Sequence, residues 1–233
     1  MRRLIFATNN SHKVAEVRAA LEGVAEVVTL AEAGLHGEIP ETADTLQGNA
    51  LQKAQWVVDK LKCSRDNLST YQPTNLSTRY DGVFADDTGL EVDALGGAPG
   101  VYSARYAGEH CSFDDNVNKL LRALEGKSNR RADFRTVICL IEVDRLNDDK
   151  LISSCNDLST HQTVNLSTRY FEGRVDGQIL TERHSNGEGF GYDPVFMPDR
   201  FAVSFAEMPL SVKNLISHRG LAVKKLADYL KQQ

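Results

Sequence analysis

The sequence has no CxxC pair, and its four cysteines, Cys63, Cys111, Cys139 and Cys155, lie far apart. That spacing argues against both a zinc site and a disulfide framework, so the thiols read as reduced packing residues. An excess of basic charge is also missing: 27 Lys and Arg against 32 Asp and Glu give a formal net charge of −5. No nucleic-acid partner is therefore expected, because a duplex-binding surface relies on bulk positive charge, whereas a small anionic ligand needs only a few local cations. No apolar run approaches the ~20 residues that span a bilayer. The apolar stretch behind the N-terminal arginines lasts only from Leu4 to Ala7, too short for a secretory h-region. A cytoplasmic chain with no membrane partner is the expectation.

What is present suits a globular core. Of 233 residues, 41% are hydrophobic, and apolar periodicity predicts strands at Leu4 to Ala7, Val24 to Leu30, Thr136 to Val143 and Tyr170 to Ile179. Helical spacing marks Lys13 to Leu21, with Ser11 as its cap, then 44–61, the segment around Val117 to Leu124, and a C-terminal helix capped by Ser217. Asn49 and Lys53 lie four apart and share one flank of the second of these. Strands alternating with helices predict a mixed α/β class, a mixed central sheet flanked by helices. The segment 66–80, DNLSTYQPTNLSTRY, is echoed at 156–170 by NDLSTHQTVNLSTRY. Both are nearly devoid of periodic apolar residues, so they read as polar surface insertions, at about 63–80 and 147–169, on one domain covering 1–233.

Four segments could carry chemistry. TNNSHK, Thr8 to Lys13, lies between a strand and a helix, where free N–H groups and the helix dipole favour phosphate oxygens; it lacks the glycines of a P-loop. FADDTG, 84–89, brings Asp86 and Asp87 to the end of an apolar strand; taken alone the pair reads as a turn, with hard oxygen ligands for magnesium as the sharper alternative. In GEGFGYDPVF, 187–196, glycines open the backbone, and Phe190 or Tyr192 could stack on a planar base or simply pack on the core. Around NLISHRG, 214–220, Lys213, His218 and Arg219 supply cations near a helix start. Each has an ordinary structural reading alone. Together they offer what a magnesium nucleoside triphosphate requires.

Through IFATNNSHKVAEV, ETADTLQGNALQKA, FADDTGLEVDALGGAPGVYSARYAG, GFGYDPVF and SHRGLAVKKL, the chain resembles the inosine triphosphate pyrophosphatase family. The resemblance implies an α/β fold with a substrate cleft between two lobes, a homodimer, and hydrolysis of ITP, dITP and XTP to the monophosphate and pyrophosphate. It implies phosphate binding by Thr8, Asn9, Asn10, Ser11, His12, Lys13 and Lys53. Asp87 falls on the proton acceptor and Mg²⁺ ligand, with Asp86 beside it and Thr88 as a substrate contact. Phe190, Gly191, Tyr192 and Asp193 match the base-binding element, and Lys213, His218 and Arg219 the remaining nucleotide contacts. The second metal carboxylate falls on Glu41, with Glu38 as the alternative. A phosphohydrolase releasing orthophosphate, or a nucleotide-binding module without turnover, would use the same parts.

Overall fold

The computed structural model describes residues 1–63, 80–144, 165–185 and 189–233. The expected insertions fall outside the described residues across 64–79 and 145–164. The described strands are β1 (Arg2–Phe6), β2 (Ala25–Thr29), β3 (Gly82–Val92), β4 (Pro99–Gly100), β5 (Arg131–Asp144), β6 (Asn165–Ile179) and β7 (Phe196–Pro198). The described helices are α1 (Ser11–Ala20), α2 (Leu46–Cys63), α3 (Phe113–Ala123), α4 (Leu210–Ile216) and α5 (His218–Leu230). The strands form a seven-stranded sheet in the order β2-β1-β3-β5-β6-β7, with β4 on β3. This is the mixed α/β class read from the sequence. The chain divides into two compact units, and β3, β5 and β6 contribute residues to both.

The first unit takes Met1–Glu41, Ala50–Ala85 and Cys139–Tyr170. Here β1 runs parallel to β2 and to β3, in a register that sets Ile5 beside Val28 and Val83. Parallel strands covered on both faces read as continuous apolar runs, and Leu4, Ile5, Phe6, Val83, Phe84 and Ala85 are all fully buried. Ala50, Ala54, Val57, Val58 and Leu61 line one side of α2 and join this core, as the helical spacing predicts. Cys139 belongs to it too; burial pushes its thiol up to about 12, which fits a packing role.

The second unit takes Thr42–Asn49, Asp86–Ile138 and Phe171–Gln233. Its core gathers Leu90, Val117, Leu120, Phe134, Phe196 and Phe205. Ser112 and Asp115 form a capping box that starts α3. Ser217 caps α5, accepting from the Gly220 N–H at 3.1 Å, as expected. Gly220 is dictated by a close approach: a Cβ there would lie 1.9 Å from the Asn214 carbonyl oxygen, so this corner between α4 and α5 closes with unshifted backbone only with glycine at 220.

Several sequence expectations change. Asn10, not Ser11, caps α1. The strand carrying FADDTG does not end at the aspartates but continues through them to Val92, so the pair sits inside β3. Residues 165–169, placed with a polar insertion, open β6, and Leu166 packs against the first core; in-strand pairing overrides the polar composition of NLSTRY. Within 93–108, two 3-10 turns, Asp93–Leu95 and Ser103–Arg105, flank β4. The short helix α4, which places Lys213, had no clear periodic signal.

Candidate active site

In the first unit, Thr8 to Lys13 connect β1 to α1. Asn10 Oδ1 accepts from the N–H groups of His12 and Lys13 at 3.0 and 3.2 Å, while Thr8 Oγ1 accepts from Asn10 N–H at 3.1 Å. The segment therefore departs from the expected row of free backbone donors, because Asn10 occupies two of them. Its side chains remain accessible: Asn9, Ser11 and His12 are exposed, and Thr8, Asn10 and Lys13 half-buried. Deeper in the same unit, Lys53 is only 4% exposed and its Nζ lies 2.7 Å from Glu41 Oε1. A buried ammonium needs an anionic partner. Glu41 provides it, whereas Glu38 is exposed.

In the second unit, the two aspartates of β3 have different neighbours. Asp86 is 2% exposed, and Arg219 Nε donates to its Oδ2 at 3.2 Å, an ion pair buried on both sides. Asp87 is 7% exposed, and its Oδ2 accepts from Asn49 Nδ2 at 3.1 Å. Asp86 thus fastens Arg219 through a charged hydrogen bond, and Asn49 donates to Asp87 and orients it.

Thr88, next along β3, shares a 2.7 Å hydrogen bond with the Thr136 hydroxyl, and that hydroxyl lies 2.6 Å from His218 Nδ1. His218 stacks on Phe134, with centroids 4.7 Å apart and planes 25° from parallel. The segment 190–193 closes around Asp193, whose Oδ2 accepts from Phe190 N–H at 2.9 Å and from Lys213 Nζ at 2.7 Å. Gly191, between them, has φ 63, the left-handed region that favours glycine. Lys213 Nζ sits 5.1 Å and Arg219 Cζ 5.4 Å from the centroid of the half-buried Phe190 ring. Cations at that range attract the ring and fix its plane. Tyr192 takes the other path: its hydroxyl donates to Ser103 O at 2.9 Å within the core, and burial pushes the phenol up. Of the two aromatics that could stack on a base, Phe190 is the one with an accessible ring.

Residues 4–229 match the model of the Ham1 family. The chain belongs to the Ham1 family. It is 48% identical over 99% of its length to a dITP/XTP pyrophosphatase of Porphyromonas gingivalis, covering 98% of that protein. It is 44% identical to a dITP/XTP pyrophosphatase of Flavobacterium johnsoniae, over 98% of this chain and 97% of that one. Among solved structures, a Ham1 protein from Coxiella burnetii aligns with TM-score 0.75 at 30% identity, covering all of both chains. The Ham1 protein of Staphylococcus aureus aligns with TM-score 0.73 at 30% identity, over 99% of each.

In this Ham1-family chain the second unit brings together Asp86, Asp87, Thr88, Phe190, Gly191, Asp193, Lys213, His218 and Arg219, while Thr8 to Lys13, Lys53 and Glu41 belong to the first. Sequence reasoning left two residues without a role. Asn49 was placed only on a helix flank, and a signal existed in its four-residue spacing from Lys53. Thr136 had none, because its partners are 48 and 82 residues away.

Proposed function

We propose that this chain hydrolyses the non-canonical purine nucleoside triphosphates ITP, dITP and XTP between the α- and β-phosphates, releasing monophosphate and pyrophosphate and clearing them from the nucleotide pool. The 48% identity to a dITP/XTP pyrophosphatase along almost the whole of both chains carries the reading. The local chemistry is in keeping with it: an Asn-steered carboxylate in β3, and a ring-and-cation group built on Phe190, Lys213 and Arg219.

The donors fit magnesium. That ion takes one or two carboxylates and completes its shell with water and substrate phosphates, so it needs no larger cluster, and among the described residues no group of three or more His, Cys, Asp or Glu stands together. Asp87, a buried carboxylate oriented by Asn49 Nδ2, suits this role. Bound there, the ion would supply charge neutralisation on the phosphate chain. Asp87 orients and deprotonates the attacking water. Asp86 holds Arg219 in place. The ammonium groups of Lys13, Lys53 and Lys213 offset the charge of the departing pyrophosphate. Phe190 receives the face of the base, and donors from the His218–Arg219 corner meet the oxygen at its position 6.

A homodimer and a cytoplasmic location complete the reading; no described helix is long and apolar enough to cross a membrane. The test is incubation with ITP, dITP, XTP, ATP and dGTP plus Mg²⁺, followed by product identification. Monophosphate with pyrophosphate from the first three is the expected result. Orthophosphate would mark a different phosphohydrolase, and binding without turnover a nucleotide-binding module.

A further inference from the structure

We propose that Thr136 is the positioning residue that decides which ring nitrogen of His218 carries the proton, and that it thereby sets the preference for 6-oxo over 6-amino purines. The inference rests on the substrate class proposed above. Its basis is a chain of three groups, Thr88 Oγ1, Thr136 Oγ1 and His218 Nδ1, linked by contacts of 2.7 and 2.6 Å. Thr136 is fully buried in β5 and His218 is 5% exposed. The imidazole stacks on Phe134 at 4.7 Å, with Phe205 tilted against it at 6.4 Å, and its Nδ1 faces Thr136.

A hydroxyl has one proton to give. If Thr136 donates to Nδ1, it accepts from Thr88, and the neutral ring carries its proton on Nε2. If Nδ1 carries the proton, it donates to Thr136, and Nε2 becomes an acceptor. The two directions present opposite faces to a base. A donor at Nε2 complements the oxygen of a 6-oxo purine; an exocyclic amine there would set N–H against N–H. The direction Thr88 to Thr136 to His218 Nδ1 is therefore the one that serves dITP and XTP and penalises dATP. Leaving a buried polar group unpaired is what makes such discrimination large. Because Thr88 follows Asp87 in β3, the same hydroxyls tie base recognition to the strand that carries the reacting carboxylate.

The test uses the full chain with ¹⁵N-labelled histidine, together with kcat/KM for dITP and dATP. In the unsubstituted protein, His218 Nδ1 should give the signal of an unprotonated nitrogen and Nε2 that of a protonated one. Thr136→Val, close in shape but without the hydroxyl, should lower the dITP-to-dATP ratio of kcat/KM by roughly 10- to 100-fold. Thr136→Ser should restore most of that ratio. A protonated Nδ1, an equal loss on both substrates, or failure of Ser to restore the ratio overturns the proposal. If the Val variant does not fold, the spectrum and the Ser variant decide alone. Absence of dITP hydrolysis by the unsubstituted protein would overturn the substrate reading and its specificity consequence, and the spectrum would still decide the proton placement.

Discussion

The side chain of Asn49 ties two segments of one unit together: Nδ2 donates to Asp87 Oδ2 at 3.1 Å, and Oδ1 accepts from the Ala43 N–H at 2.9 Å. Asn49 is fully buried and its bond to Asp87 forms away from water, where a lost partner costs about 1–3 kcal/mol. Asn49→Ala should lower stability by about that amount and slow turnover about tenfold, because Asp87 keeps its charge and loses its orientation. Urea unfolding and steady-state kinetics with dITP check the two effects. Unchanged kcat in a folded variant would show that Asn49 holds only the Ala43 backbone.

Asp193 provides a sharper stability test. Its Oδ2 accepts from both Phe190 N–H and Lys213 Nζ, and the pair's side chains are 5% and 7% exposed. Removing one partner of a buried pair leaves the other charge uncompensated, which costs about 3–5 kcal/mol. Asp193→Ala should show a loss of that size in urea unfolding. Lys213→Met leaves Asp193 with the Phe190 N–H still donating to it, and should cost less. Losses well below that range in both variants would mean that the ion pair does not set the stability of this loop.

How much of this was legible depended on range. The buried face of α2 could be read because its apolar residues repeat along one segment, and the Ser217 cap because cap and helix are neighbours. The middle of β3 could not: Asp and Gly favour turns locally, and the Arg219 and Asn49 partners that help make two aspartates tolerable inside a buried strand lie 133 and 38 residues away. Asn10 displaced Ser11 as cap because both residue types fit that role, and only the backbone decides between them. For the site, motif resemblance supplied the residues but not their division of labour. Tyr192 belongs to the core, and Arg219 is already engaged by Asp86.

A pH dependence follows from Asp133. Its Oδ1 is buried with no hydrogen-bond partner among the described residues, while Oδ2 lies 3.3 Å from Arg174 Nη2. Burial raises its carboxyl above the ordinary value, with Arg174 opposing the shift and Glu91 and Asp176 adding to it. A carboxyl raised in the folded state favours folding fully below its unfolded value, and that contribution is lost as pH rises through the folded one. Asp133→Asn, uncharged throughout, should therefore gain stability relative to the unsubstituted protein between about pH 4 and pH 7. Urea midpoints at both pH values check this. A constant difference would show that Asp133 ionises as it does in water.

Asp87 carries the chemical step in the proposed reaction, and Asp87→Asn isolates it. The substitution keeps the size and an oxygen to accept from Asn49 Nδ2, so the 3.1 Å contact and the fold should survive. What it removes is the negative charge and the basic site, the two properties needed to bind magnesium and to take a proton from water. Loss of a general base lowers rates by about 10²–10⁴-fold, and dITP hydrolysis with saturating Mg²⁺ should fall at least that far. Chelation of divalent ions should abolish hydrolysis by the unsubstituted protein, and added Mg²⁺ should restore it there but not in the variant. Asp86→Asn behaves differently, since that carboxylate balances Arg219: it should destabilise the protein and weaken base selection before it slows the chemistry. Near-normal turnover by Asp87→Asn alongside an inactive, well-folded Asp86→Asn would reverse the assignment of the two aspartates.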